Sequence, residues 1–250
     1  MRLDNKTAIV YGAAGAIGSA VARAYAREGA DVNLAGRTIA TLEPVAQHIR
    51  DHGGTAHVTQ LDVLDLAAVE RHAAAVADVG KIDICFNATS SDDVQGTPLL
   101  DTAFEDVMRP VTKAVTAHFN IATAVGPHMT RRGRGVILVM AGGREAIPRL
   151  GGSHVAWAAL AGLCRQLAAE LGPYGVRVTW LLSPGSPGHE EREQGRDENN
   201  AAAAPETKGL LVRHQPTYSE VASVAVFAAS DWARTITASE INLTGGAVVD

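Results

Sequence analysis

Short apolar runs alternate along this chain with longer stretches whose apolar positions recur every three or four residues. Thr7–Tyr11 is one such run, closed by Gly12, and reads as a buried strand. Residues 17–28 then carry helical spacing, with Gly29 as the stop. The same reading places strands at 31–35, 56–61 and 82–87, and helices at 41–52 and 66–79. Pro110 is expected to interrupt a helical region that resumes through His128. A strand at 135–140, a long helix at 153–171, a strand at 175–182 and a last strand at 241–243 complete the pattern. Such alternation predicts an α/β domain built on a doubly wound parallel sheet covered on both faces, with right-handed crossovers.

One region breaks the rhythm. Residues 186–215 are polar, include Glu190-Glu191-Arg192-Glu193, and offer few anchors for a core. A long irregular stretch inside a compact domain reads as a lid or mobile loop. At 250 residues the chain suits a single domain carrying that insertion, and it has no internal repeat. The net charge of −5, with acids and bases mixed, gives no case for nucleic-acid or membrane-surface binding. No apolar run is long enough for a signal peptide or a membrane span, so a cytoplasmic location is the default expectation. Cys85 and Cys164 sit in apolar surroundings and read as buried thiols, not as a disulfide or metal site.

Candidate chemistry begins at Gly12-Ala13-Ala14-Gly15-Ala16-Ile17-Gly18, between the first strand and the first helix. Glycines there permit a tight turn and let the backbone approach a pyrophosphate at the helix N-terminus. Glycines also serve plain strand–helix packing, but the placement favours a cofactor site. After the second strand, Arg37 suits the 2′-phosphate of NADP(H) better than the ribose hydroxyls of NAD(H); its alternative is an ordinary solvated arginine. Asp62-Val63 follows the third strand, where a carboxylate can accept the adenine amino group or cap the next helix.

These residues and those further along resemble the short-chain dehydrogenase/reductase family over essentially the whole chain, which implies a Rossmann fold. The family's glycine turn is similar to Gly12 through Gly18, with its third glycine falling on Ala16. Its Asn-Asn-Ala-Gly resembles Asn87-Ala88-Thr89-Ser90. Its later helix is matched by Ala159-Leu160, Gly162-Leu163 and Leu167-Ala168-Ala169-Glu170-Leu171, its sixth strand by Arg177-Val178 leading to Pro184-Gly185, and its closing segment by Thr244-Gly245-Gly246. The resemblance implies a cofactor held by Gly12, Ala14, Gly15, Ile17, Gly18, Arg37, Asp62, Val63, Asn87, Ala88, Pro184 and Gly185. It also implies an oligomer, a homodimer or homotetramer, or a hetero-oligomer with an active relative.

The family's catalytic positions are empty. Its proton-transferring tyrosine falls on Ser153, and the lysine that lowers that tyrosine's pKa falls on Trp157. Its serine falls within residues 140–142, which hold no hydroxyl, and its asparagine on Val111 or Ala114. An indole at 157 either stacks beside the cofactor, takes its place, or rotates into the core. His154 is a weak acid–base candidate, since a helix turns it about 100° from residue 153. Arg144 and Glu145 follow the fifth strand, where Arg144 could polarise a carbonyl or hold an anionic substrate, although an exposed loop arginine is the commoner outcome; His189 in the insertion, His118 and His128 read as solvated or packing residues. No metal-ligand spacing occurs. Three functions remain open: an NADP(H)-dependent oxidoreductase of a small-molecule carbonyl or alcohol with a non-standard proton donor, a non-redox catalyst on the same fold that needs no cofactor, and a non-catalytic subunit.

Overall fold

The computed structural model describes residues 1–144, 147–183, 211–212, 214 and 216–249. Seven strands form one parallel sheet: β1 (Thr7–Tyr11), β2 (Asp31–Gly36), β3 (Thr55–Gln60), β4 (Ile84–Asn87), β5 (Gly135–Ala141), β6 (Val176–Leu182) and β7 (Ser239–Asn242), in the order β3-β2-β1-β4-β5-β6-β7. The helices are α1 (Ala16–Arg27), α2 (Ile39–Asp51), α3 (Leu66–Val79), α4 (Phe104–Arg132), α5 (Ser153–Leu171) and α6 (Tyr218–Ala229).

Period-two alternation along fully buried strands sends neighbouring side chains to opposite faces. Ala8 and Val10 of β1 join the core under α1, α2 and α6, while Ile9 and Tyr11 join the core under α3, α4 and α5. The strand order reverses between β1 and β4, and this switch point is where ligands bind in open α/β sheets.

Two expectations from the sequence are corrected. Pro110 does not interrupt a helix, because α4 runs unbroken through both Pro110 and Pro127. A proline removes one ladder bond, and in a 29-residue helix whose Pro110 is buried, packing outweighs that loss. No element was expected between residues 215 and 241, yet α6 fills the space against α1. Its apolar residues cover most of its circumference, so no amphipathic stripe marks it; the legible signal is the capping box Thr217…Glu220 that opens it. The lid or mobile loop expected at 186–215 lies almost wholly outside the described residues, as do Glu145, Pro184, Gly185 and His189.

Opposite the switch-point edge, the sheet is locked by Asp83. This carboxylate is 5 % exposed, accepts the Thr7 backbone N–H at 3.0 Å, and faces Arg132 at 3.3 Å, Lys81 at 3.6 Å and Arg134 at 3.7 Å. It thereby ties β1, β4, the end of α4 and the start of β5 together.

Candidate functional site

The glycine turn is built from contacts that only glycine permits. Gly12 has φ +75°, and a Cβ on it would lie 2.6 Å from the Ala88 carbonyl oxygen. A Cβ on Gly18 would collide with the Gly12 carbonyl, while Gly15 donates its N–H to that carbonyl at 3.0 Å. Helix α1 therefore starts hard against the turn. No side chain caps it and no acid stands in its first turn, so the amides around Ala16, Ile17 and Gly18 form an electropositive end.

The flanking loops line the same edge of the sheet. Arg37 is exposed beyond β2, its carbonyl held by Gln60 Nε2 at 2.9 Å. Asp62 is exposed, and one of its oxygens accepts the Leu64 N–H at 3.0 Å. The cap of α3 is Asp65, which accepts the Ala68 N–H, so the helix-cap reading of Asp62 is set aside. Val63 is buried, and its carbonyl accepts a bond from Asn120 Nδ2 at 3.0 Å, which docks α4 on this turn. Asn87 closes the end of β4 by accepting bonds from the Thr89 N–H at 3.0 Å and the Thr89 hydroxyl at 2.7 Å.

Behind Asn87 lies a buried polar chain. Asn87 Nδ2 donates to His118 Nδ1 at 3.5 Å, and the opposite ring nitrogen, Nε2, reaches Cys164 Sγ at 3.4 Å. Burial holds His118 down to about 4 and pushes Cys164 up to about 12, so a neutral ring faces a neutral thiol. Cys85, fully buried, is likewise pushed up by desolvation, and both cysteines are free thiols as expected. His72, edge-on to Tyr11 at 5.8 Å, is held down to about 4 by burial. Among the described residues no group of three metal-ligating side chains occurs.

The start of α5 is the second half of the site. Ser153, fully buried, donates its hydroxyl to Asp93 Oδ2 at 2.6 Å. Asp93 also accepts from Gln95, and the adjacent Asp92 pairs with Lys113 of α4. The loop between β4 and α4 is thus tied to both long helices, and Gly96 N–H bonds the Arg149 carbonyl at 2.9 Å. Trp157, one turn further along α5, lies directly over Gly142, where a Cβ would overlap its indole. His154 meets the same indole edge-on at 5.3 Å with its Nε2 buried and unpartnered among the described residues. Arg144 is held by Glu240 of β7, which also accepts from Trp180 Nε1 at 3.2 Å.

A family model described as enoyl-(acyl carrier protein) reductase matches residues 12–248. The D-threitol dehydrogenase of Mycolicibacterium smegmatis is 32 % identical over 98 % of this chain and 94 % of its own length. The chain belongs to the short-chain dehydrogenase/reductase family. Among solved structures, an NAD⁺-bound xylitol dehydrogenase superposes with TM-score 0.87 at 26 % identity, covering 98 % of this chain and all of that one. A protein described as an NAD(P)-dependent gluconate 5-dehydrogenase, from Beutenbergia cavernae with bound NADP, gives TM-score 0.84 at 27 % identity over 98 % and 97 % of the two chains.

On this dehydrogenase/reductase frame, the positions on which the family's tyrosine, lysine and serine were expected to fall are neighbours. Ser153 and Trp157 lie one helical turn apart at the carboxyl edge of the sheet, Gly142 stands beneath Trp157, and Ala114 packs half-buried on the core under α4 and α5. The indole is partly buried and packs against that core. Asp93 is the residue that sequence reasoning missed. In sequence it is one of two acids in a polar loop, and only the fold carries it to a hydroxyl 60 residues away.

Gly142 and Trp157 form a reciprocal pair. Gly142→Ala is expected to cost about 1–3 kcal/mol by overpacking and to shift the tryptophan emission as the indole is displaced. Gly142→Ala combined with Trp157→Ala should recover part of that cost, and strictly additive losses by thermal unfolding would show that the two do not share space.

Proposed function

We propose that this protein is an NADP(H)-dependent oxidoreductase of a small-molecule alcohol or carbonyl, working with a non-standard proton-transfer group. The observation that carries this reading is the intact nucleotide edge. Gly12 and Gly18 leave a cradle that a Cβ would fill, the N-terminus of α1 has no side-chain cap, Asp62 keeps one oxygen without a hydrogen-bond partner among the described residues, and Arg37 is exposed beyond β2. These residues fit a dinucleotide. The amides of α1 suit the pyrophosphate, Asp62 the adenine amino group, Asn87 and Ala88 the neighbouring ribose, and the Arg37 guanidinium a 2′-phosphate. When bound, the nicotinamide supplies hydride acceptance or donation.

Relatives named for D-threitol, xylitol and gluconate suggest a polyol or hydroxy acid as the substrate class. The chain's own residues must then bind that substrate and move its proton. Trp157 and the β4–α4 loop supply the walls.

Calorimetric titration with NADPH and NADH tests the cofactor assignment. NADPH should bind at least tenfold more tightly than NADH, and Arg37→Asp should reverse the order, since one ion pair to a phosphate is worth about 1.5–3 kcal/mol. Equal affinities, unchanged by Arg37→Asp, would remove the NADP(H) assignment. A second reading, a catalyst without redox chemistry, has one observation in its favour: the indole of Trp157 standing at the family's lysine position over Gly142. Failure of both nucleotides to bind would favour it.

A further inference from the structure

We propose that Asp93 is the catalytic residue that takes the substrate hydroxyl proton when a secondary alcohol is oxidised, and that Ser153 positions it. The inference rests on the reading of this chain as a nicotinamide-dependent oxidoreductase. Asp93 stands at the carboxyl edge of the sheet, hydrogen-bonded to the residue that occupies the family's tyrosine position. Its Oδ2 takes the Ser153 hydroxyl and Gln95, while Oδ1 has no hydrogen-bond partner among the described residues and the side chain is half-exposed. One oxygen is therefore anchored and the other is available to a ligand.

The anchoring is substantial. Val94, next in sequence, presses its carbonyl against Gly151, where a Cβ would collide with it. Gly96 bonds the Arg149 carbonyl, and Asp92 grips Lys113. The loop is thus fixed on both sides of Asp93, which holds a general base in place before substrate arrives. Beside it in sequence, Asp92 pairs with Lys113 and feels the charge of Arg37, and His154 follows Ser153 on α5.

The chemistry also accounts for the other substitutions. A phenol needs a nearby cation to become a base near neutral pH, whereas carboxylic acids as a class ionise without one. Once a carboxylate carries the proton, the lysine position is released, and Trp157 over Gly142 is compatible with catalysis. In the step, the substrate O–H bond breaks and its proton passes to Asp93 Oδ1. The carbon–hydrogen electron pair leaves as hydride to oxidised nicotinamide, and the C–O bond becomes a carbonyl. Exchange with water then discharges the proton. The proton-accepting oxygen serves the alcohol-oxidising step, while the net direction follows from the proportions of alcohol, carbonyl and oxidised and reduced cofactor.

The test uses the full chain with NADP⁺ and a panel of D-threitol, xylitol, gluconate and 2-butanol. Asp93→Asn should bind NADP⁺ within threefold of the unaltered protein and lose 10²–10⁴-fold in kcat. Ser153→Ala should lose kcat with little change in KM and shift the pH profile, and Ser153→Thr should restore both. A cofactor-free readout accompanies these. In saturation-transfer NMR, Asp93→Ala should weaken binding of the oxidised alcohol about tenfold or more, as expected for losing a bond to a charged acceptor.

Absence of NADP⁺ binding by the unaltered protein overturns the proposed function, and this inference falls with it. NADP⁺ binding without oxidation of any panel member overturns the inference alone. So does an Asp93→Asn protein that keeps its turnover and pH profile. Should Asp93→Asn fail to fold, Ser153→Ala decides, since an unchanged pH profile there overturns the assignment.

Discussion

Replacing Asp83 by alanine should destabilise the protein by about 3–5 kcal/mol, a large share of the 5–15 kcal/mol that holds a typical domain together. The carboxylate is nearly inaccessible and stands among Lys81, Arg132 and Arg134, so its removal leaves three cations facing one another around a gap. It also strips the Thr7 N–H of its acceptor at the first residue of β1. For a domain of this size the loss corresponds to a fall in melting temperature of about 10 °C. Asp83→Asn keeps an acceptor for Thr7 and should fall between the two. A melting temperature for Asp83→Ala within 2 °C of the unaltered protein would show that the cations relax into solvent at no cost.

Acid should weaken the fold through His118 and His72. Both are held near 4 in the folded protein by burial, against about 6.5 for an exposed imidazole. Between those values the unfolded chain binds protons that the native chain refuses. Stability is therefore complete above about pH 6.5 and declines as the pH falls towards 4, where the decline from these groups ends. A displacement of this size corresponds to up to about 3 kcal/mol for each histidine. Urea unfolding at pH 7.5, 6 and 5 measures it. His118→Gln should reduce the slope by about half, and an unaltered slope would place the acid sensitivity elsewhere. Little of this sensitivity should reside in Cys164, whose thiol stays protonated throughout that range.

The alternation of strands and helices was legible because buried strands and covering helices impose different periods on the same apolar residues. The boundaries of α3 and α5 coincide with the expected 66–79 and 153–171. α6 escaped because a helix wedged against α1 needs no polar face, so periodicity has nothing to detect. Pro110 misled because proline's cost is local, whereas the packing that overrides it is tertiary. The glycine turn was legible for a similar reason in reverse: Gly12 and Gly18 are demanded by backbone contacts within a few residues of chain and the neighbouring Ala88. Ser153 and Trp157 could be placed by counting along one helix. Asp93 could not, since its meaning depends on a hydroxyl brought to it by the crossing of a loop and a helix. Arg144 is exposed, as the commoner of its two readings had it, but its partner Glu240 lies nearly a hundred residues away in sequence on β7 and could not be foreseen.

The interlocking of Trp157 with Gly142 bears on how such a site can change over generations. An indole reduced to a small side chain would leave a void beside Gly142, and a side chain added at 142 would meet the ring while it remains. Each change carries its cost until the other is made. The pair therefore acts as a ratchet: a side chain at 142 and the indole at 157 exclude one another, so the two positions are expected to change together.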